Sequence, residues 1–172
     1  MSTHYETLSP TNAYRDTFGV ALPLETTERH MWPRKIGHFI RAVPLALPAP
    51  DAAADSDTAP AREVVAAQWG LVPHWVKSAS DAKLRSPKLI HAKAETVSTT
   101  RAFHDAWIKG QRCIVPMAAF FEDVWREGKA RPTRISRIDG QPMGAAGLWA
   151  SWTGPEGDTI VSFTLLTLNA NN

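Results

Sequence analysis

The residues of this chain that could do acid, base, nucleophilic or metal chemistry do not form several familiar catalytic or metal-binding patterns. The six histidines lack the spacing of a metal-ligand set, and there is a single cysteine. The sequence contains no phosphate-cradling glycine loop, no zinc-protease helix motif and no cysteine pair of a zinc deaminase. We therefore expect no metal and no cofactor. The histidines and the cysteine are His4, His30, His38, His74, His91, His104 and Cys113.

A basic central segment is the second feature with chemical meaning. Residues 74–137 contain thirteen Lys/Arg and six Asp/Glu, a net charge of +7, whereas the rest of the chain has six basic and eleven acidic residues, a net charge of −5. The segment also contains Trp75, Trp107 and Trp125. Basic residues mixed with tryptophans are typical of surfaces that neutralise phosphates and stack bases. The alternative is a solvated basic surface over a core that needs its tryptophans.

The length and the cysteine count indicate the type of protein. At 172 residues the chain is long enough to form one domain, residues 1–172, with its own core. One cysteine cannot form an internal disulfide, which favours a reducing compartment. The amino terminus lacks a secretory pattern, and no apolar run is long enough to span a bilayer. We expect a cytoplasmic monomer without membrane contact.

The first half of the chain predicts short elements separated by polar segments. Residues 9–19 begin with Ser-Pro and end with Gly, which is typical of a short helix. A strand is predicted over residues 36–43, and the Ala/Pro/Asp-rich residues 44–62 predict a surface loop. A second strand is predicted over residues 63–72. Residues 77–88 are polar and basic without a clear period and predict a mobile loop.

The second half begins with a helix and continues as strands. Thr100 can cap a helix whose apolar residues recur at helical spacing before Gly110 ends it. The turn signals at residues 139–140 and 154–158 then favour a meander of antiparallel hairpins. The fold class that follows is α+β, a curved, mainly antiparallel β-sheet or open barrel with two or three short flanking helices. The predicted strands cover residues 113–115, 118–125, 133–138, 143–152 and 159–168.

Three short segments are informative as an ordered set. They are WGLVPHW at residues 69–75, HAKAET at residues 91–96 and RCIVPMAAFFE at residues 112–122. The set resembles the SOS-response-associated peptidase (SRAP) family, whose members show similar motifs in the same order and at similar spacing. The resemblance extends to MSTHY at the start and to residues 139–149, so it covers nearly the whole chain.

The resemblance implies a covalent trap for abasic sites in single-stranded DNA. In the family the initiator methionine is removed by the protein's own peptidase activity, and the exposed amino-terminal cysteine condenses with the ring-opened aldehyde of the abasic sugar. An α-amine suits this chemistry because its pKa of about 7.7–8.0 leaves it partly neutral in the cytosol. The implied partner is single-stranded DNA with abasic sites, which would bring a cytoplasmic protein to the nucleoid.

Carried over by position, the implied catalytic residues are Ser2, Glu122 and His91. Glu122 takes the place of the family's catalytic glutamate, whereas Ser2 replaces the cysteine and His91 replaces an asparagine. A serine keeps the α-amine and can form an imine or a reversible oxazolidine, so capture is expected to be transient. The family's catalytic histidine is expected beyond the final strand, after residue 172.

The remaining implied residues would contact DNA. Lys93 replaces an arginine that contacts phosphate in the family, and it keeps the charge without the bidentate geometry. Trp75 and Pro73 lie where the family shapes a wall against bases. The alternative to capture is a non-catalytic module that binds single-stranded or junction DNA through the same surface. The implied DNA-binding residues are Lys93, Trp75, Pro73, His4, Arg85 and Lys88.

Overall fold

The computed structural model describes residues 2–9, 12–23, 27–44 and 61–169. Within these ranges the chain forms three short α-helices and nine β-strands. The helices are α1 (Ala13–Phe18), α2 (Ala79–Arg85) and α3 (Arg101–Ile108). The strands are β1 (Tyr5–Thr7), β2 (His30–Met31), β3 (Ile36–Ala42), β4 (Arg62–Trp69), β5 (His91–Lys93), β6 (Arg112–Arg126), β7 (Lys129–Ile135), β8 (Met143–Thr153) and β9 (Thr159–Thr167).

Five of the strands close into a barrel. β3 pairs with β4, β4 with β9 and β9 with β8, while β8 pairs with β6 and one residue pair joins β6 back to β3. β7 and β1 pair with β6, β2 extends β1, and β5 adds to β9. Within the described ranges the β4–β9 and β5–β9 pairs are parallel and the others antiparallel. The α+β, mainly antiparallel fold class is confirmed, and the barrel is closed instead of open.

Large apolar side chains fill the barrel interior. They alternate with outward-facing residues along the strands, as the two-residue period of a β-strand requires. Trp69 at the end of β4 is fully buried, and its indole nitrogen donates to the carbonyl of Ile90 at 3.1 Å, so the buried N–H has a partner. Further residues of this core are Tyr5, Met31, Phe39, Val115, Met117 and Phe163.

Gly70 explains why the first motif contains a glycine after the tryptophan. Its φ is 122°, a conformation that residues with a side chain rarely adopt. A Cβ atom at this position would lie 2.5 Å from the carbonyl oxygen of buried Ser86. The segment that leaves β4 therefore packs directly against the backbone that leads to β5.

The prediction of a mobile loop over residues 77–88 is wrong. The segment forms α2 followed by a 3-10 turn at Ser86–Lys88. The hydroxyl of Ser78 accepts a hydrogen bond from the backbone N–H of Asp81 at 3.1 Å, which caps the helix, and Arg85 pairs with Asp81 one turn earlier at 2.9 Å. An apolar period is missing because Ala82 alone is buried in this short helix.

The other predicted elements are present and differ in extent, whereas the short strands β1, β2 and β5 were not predicted. The helix ending at Gly19 and the helix over residues 100–110 are present. β6 is continuous through Pro116, which pairs with Gly144 of β8, where two separate strands were expected. β7 and β8 both pair with β6, so the turn near Asp139 joins strands that are not neighbours and forms no hairpin.

The predicted surface loop over residues 44–62 lies largely outside the described residues. At its carboxyl end Arg62 already belongs to β4. At its base the N–H of Val43 donates to the carbonyl of Ala61 at 2.7 Å. The β3–β4 pairing therefore continues up to the last described residues on both sides.

Candidate functional site

The start of the chain lies against the strand that carries Glu122. β1 and β6 pair antiparallel, and just beyond the last ladder pair the N–H of Phe121 donates to the carbonyl of His4 at 3.1 Å. Ser2 is 9% exposed, and its hydroxyl donates to the same carbonyl at 2.7 Å. The antiparallel register therefore brings Ser2 to the region of β6 that carries Glu122.

His91 is carried by a different strand, β5. It begins β5 and pairs in parallel with Leu165 of β9. Its ring meets the buried Trp69 ring edge to face, with 6.1 Å between centroids and an interplanar angle of 80°. Both His91 and Glu122 are half-buried. The two residues are therefore positioned by different strands.

Three effects act on the pKa of His91. Burial lowers the pKa from 6.5, the positive amino terminus of the chain lowers it further, and the carboxylate of Glu122 raises it. Because charge effects of this kind fall off with distance, Glu122 lies within electrostatic range of His91. The lowered pKa favours a neutral imidazole near pH 7.

Lys93 adds a positive charge at the same edge. It ends β5 two residues after His91 and pairs with Thr167 of β9. Side chains two residues apart in a strand point to the same face, so Lys93 and His91 share a face of β5. Lys93 is exposed. The site thus has a lysine at its solvent-facing side.

Trp75 lies in a separate cluster of aromatic and cationic side chains. The guanidinium carbon of Arg101 is 4.2 Å from the centroid of the Trp75 ring, and that of Arg85 is 5.0 Å from it. The indole nitrogen donates weakly to the Arg101 carbonyl at 3.5 Å. We call Trp75, Arg85 and Arg101 the Trp75 cluster. It borders an open depression of about 590 Å³ lined by His74, Trp75, Ser98, Thr99, Arg101, His104 and Asp105.

The other predicted DNA-binding residues of this region differ in exposure. Pro73 is buried, and its carbonyl accepts a hydrogen bond from Val76 at 3.2 Å, so it supports the turn and offers no surface to DNA. Lys88 is exposed at the end of the 3-10 turn. The structure thus joins Trp75 with Arg85. It adds Arg101, which carries no signal in the sequence beyond its charge.

His4 belongs to an aromatic stack that the motifs did not indicate. Its ring lies between Trp32, with 3.9 Å between centroids at 13°, and Phe121, with 4.1 Å at 5°. Its Nε2 is 2.8 Å from Nδ1 of His30. We call Trp32, His4 and Phe121 the His4 stack. Its members come from three separate segments, so no local pattern could have predicted it.

The described part of the chain contains neither a metal-binding group of side chains nor a membrane-spanning helix. Within it, no group of three or more His, Cys, Asp or Glu side chains is arranged to hold a metal ion. Cys113 is buried on β6, and burial raises the pKa of its thiol. No helix in the described ranges is long and apolar enough to cross a membrane.

The lowered pKa values of His4 and His91 predict a loss of stability in mild acid. Burial and the neighbouring His30 lower the pKa of His4, and the pKa of His91 is also lowered. The unfolded chain therefore binds more protons than the folded chain as the pH falls below about 6.5. Urea unfolding at pH 7.5, 6.5 and 5.5 should give a falling free energy of unfolding, and His91→Asn should reduce the fall. Equal slopes for the two proteins would contradict the contribution of His91.

Comparison with known proteins identifies relatives over most of the chain. The abasic site processing protein YoqW of Bacillus subtilis is 34% identical over 105 residues, which cover 60% of this chain and 45% of that protein. YedK of Escherichia coli, also called an abasic site processing protein, is 33% identical over 108 residues, 60% of this chain and 42% of YedK. The chain thus spans less than half the length of these relatives.

Solved structures give a matching fold. A crystal structure of a protein from Bordetella bronchiseptica superposes with a TM-score of 0.81 at 36% identity, covering 99% of this chain and 74% of that one. A protein from Bacteroides thetaiotaomicron has the same fold, with a TM-score of 0.74 at 23% identity over 98% of this chain and 69% of that one. The sequence model of the family described as SOS response associated peptidase (SRAP) matches residues 1–172. This chain therefore belongs to the SRAP family.

Proposed function

We propose that this chain binds abasic sites in single-stranded DNA and captures the open-chain sugar through the amino group of residue 2, once Met1 has been removed. Family membership supports the proposal, as do the names of relatives such as YoqW and YedK. The observation that carries it is the position of Ser2, whose hydroxyl donates to the His4 carbonyl that also accepts from the N–H of Phe121, the residue before Glu122. Residue 2 therefore lies beside the part of β6 that carries the carboxylate proposed to act on the aldehyde.

The proposed reaction starts from the neutral α-amine. Its nitrogen attacks C1′ of the ring-opened sugar and gives a carbinolamine, which loses water to form the C=N bond of an imine. The carboxyl group of Glu122 would supply a proton to the departing hydroxyl and later accept one. Aldehyde and amine become imine and water, so no oxidant or reductant is needed.

The Ser2 side chain would add a second, reversible step. Its hydroxyl oxygen adds to the imine carbon, and the hydroxyl proton moves to the nitrogen, which closes a five-membered oxazolidine. In the structure this hydroxyl donates to the His4 carbonyl at 2.7 Å, a contact that it must release to react. An alcohol scarcely ionises near pH 7, whereas a thiol has a pKa of about 8.5, so we expect the ring to reopen readily.

Two positive regions would hold the DNA strand. Exposed Lys93 follows His91 along β5 and is suited to a phosphate contact beside the captured sugar. Farther away, the Trp75 cluster presents two guanidinium groups stacked on an indole. Guanidinium groups bind phosphate in a bidentate manner and stack on bases. We therefore assign Trp75 the role of holding Arg85 and Arg101 in place for such contacts.

Covalent capture is the result that tests the proposal. Labelled single-stranded DNA with one abasic site is incubated with the protein, with and without borohydride, and run on a denaturing gel. We expect a strong shifted band with borohydride, because hydride adds to the imine carbon and leaves a stable secondary amine. The band without borohydride should be weak. A tetrahydrofuran analogue, which cannot open to an aldehyde, serves as the control DNA.

Three outcomes would count against the proposal in different ways. Native binding to the tetrahydrofuran DNA without any covalent band would favour the non-catalytic DNA-binding module. Retention of Met1 in the intact mass of the purified protein would contradict capture through residue 2. No binding to either DNA would contradict both functions.

A further inference from the structure

We propose that the His4 stack is a binding site for the unpaired nucleobase next to the abasic sugar, with Arg29 and Arg134 beside it for the phosphate. The inference rests on the proposed function and adds a specific contact to it. The nucleotide next to the captured one must carry a base, because stacking requires a flat ring.

The stack lies directly beside the residue proposed to react. The Ser2 hydroxyl donates to the carbonyl of His4, so residues 2 and 4 are joined by a hydrogen bond of 2.7 Å. On the other side, Phe121 immediately precedes Glu122 on β6. Side chains alternate along a strand, so Phe121 and Glu122 point to opposite faces of β6. With its abasic sugar at residue 2, a DNA strand would bend so that its next nucleotide meets the His4 stack on the Phe121 face of β6.

The stack is a rigid surface with one open end. The three rings are nearly parallel, and the central ring is held by the bond between His4 and His30 at 2.8 Å. Trp32 forms the outer end and is 44% exposed, a large fraction for a tryptophan. A fourth flat ring can continue the stack on Trp32 at low entropic cost, because the platform is already ordered. Burial favours the neutral form of His4 and lowers its pKa, which preserves its bond to His30.

Two arginines are held beside the stack by a single carboxylate. Glu6 is 8% exposed, and its two oxygens pair with Nε of Arg134 at 2.9 Å and with an amino group of Arg29 at 3.4 Å. Both arginine side chains remain about half or more exposed, at 48% and 75%. The three residues together carry a net positive charge. Two oriented guanidinium groups next to a stacking surface are suited to one nucleotide, with the base on the rings and the phosphate on the arginines.

This site would recognise the presence of a base and not its identity. Every base has a flat face, and stacking on aromatic side chains tolerates any sequence. A paired base inside a duplex is already stacked on its neighbours and is less able to move onto Trp32. The site therefore favours single-stranded DNA, or the single-stranded side of a junction, over continuous duplex.

A double-mutant cycle between protein and DNA tests the inference. Binding of wild type, Trp32→Ala and Trp32→Tyr is measured by fluorescence anisotropy on two single-stranded DNAs. Both carry the tetrahydrofuran abasic analogue, and one also lacks the bases on the two flanking nucleotides. On DNA with flanking bases, Trp32→Ala should weaken binding by about 5- to 100-fold and Trp32→Tyr by much less. On DNA without flanking bases, the two variants should match the wild type.

A second exposed tryptophan provides the control variant. Trp125 is 73% exposed on the β6–β7 hairpin, and Trp125→Ala should show no dependence on the flanking bases. Equal weakening of Trp32→Ala on both DNAs would overturn the inference, since only the structural effect of the substitution would remain. No weakening on either DNA would overturn it as well. The analogue cannot react, so a failure of covalent capture leaves this binding measurement unaffected. If the wild type did not bind the analogue DNA, both the DNA-binding proposal and this site would be overturned.

Discussion

Glu122→Gln is expected to slow covalent capture of an abasic site by about 10²–10⁴-fold, the usual contribution of a well-placed acid or base. The amide has nearly the same shape as the carboxyl group but cannot exchange a proton with the carbinolamine. The rate is measured from single-turnover reactions stopped with borohydride. Native binding to the tetrahydrofuran analogue should change little, because the substitution removes proton transfer and leaves the DNA-binding surfaces intact.

Asp123→Asn is the matched control for this prediction. Asp123 is the next residue on β6, is exposed and points to the opposite face of the strand. It undergoes the same change of charge close to the site, so a general electrostatic effect on DNA binding would appear in both variants. A rate for Glu122→Gln within a few-fold of Asp123→Asn would remove Glu122 from the proposed chemistry.

Ser2→Cys is expected to convert labile capture into an adduct that survives denaturation without borohydride. The thiol has a pKa of about 8.5 and is a strong nucleophile, so its sulfur adds to the imine carbon and closes a thiazolidine. The exchange of oxygen for sulfur is small enough for the nearly buried position, where residue 2 is 9% exposed. The measurement is the fraction of DNA shifted on a denaturing gel with no reductant present.

Ser2→Ala distinguishes the contribution of the α-amine from that of the side chain in the same assay. It keeps the α-amine and removes the hydroxyl, so imine formation should persist and be revealed only by borohydride. If Ser2→Cys gave no more durable product than Ser2→Ala, ring closure at residue 2 would be excluded as the source of stability. The replacement of the family's asparagine by His91 would then be the next position to change, with His91→Asn in the Ser2→Cys background.

The local parts of the fold could be predicted because short-range physics decides them. Gly19 and Gly110 have positive φ at helix ends, where glycine avoids the clash of a Cβ atom. The apolar runs beyond residue 110 form the strands β6, β7, β8 and β9. α2 was missed because its stability comes from the Ser78 cap and the Arg85–Asp81 pair, while a single buried alanine gives no apolar period.

Some residues of the candidate site could also be selected from local sequence, whereas others could not. Glu122, His91 and Lys93 could be selected from motifs, since each motif lies within one short segment of sequence. The partners of Trp75 and His4 could not be selected in this way. Arg101 reaches Trp75 from the start of α3, and Trp32 reaches His4 because β2 and β6 flank β1. Contacts of this kind depend on strand order and register, which no local pattern records.

The sequence by itself determined the family, the order of its three motifs, the basic central segment and the presence of a serine at position 2. The tertiary structure decided that the barrel closes, that Ser2 lies beside the part of β6 that carries Glu122, and that a buried carboxylate holds two arginines beside the His4 stack. The physical reason is the separation along the chain over which each kind of interaction acts. Steric and hydrogen-bonding preferences act between neighbours in sequence, whereas electrostatic and stacking contacts act between any groups that the folded chain brings together.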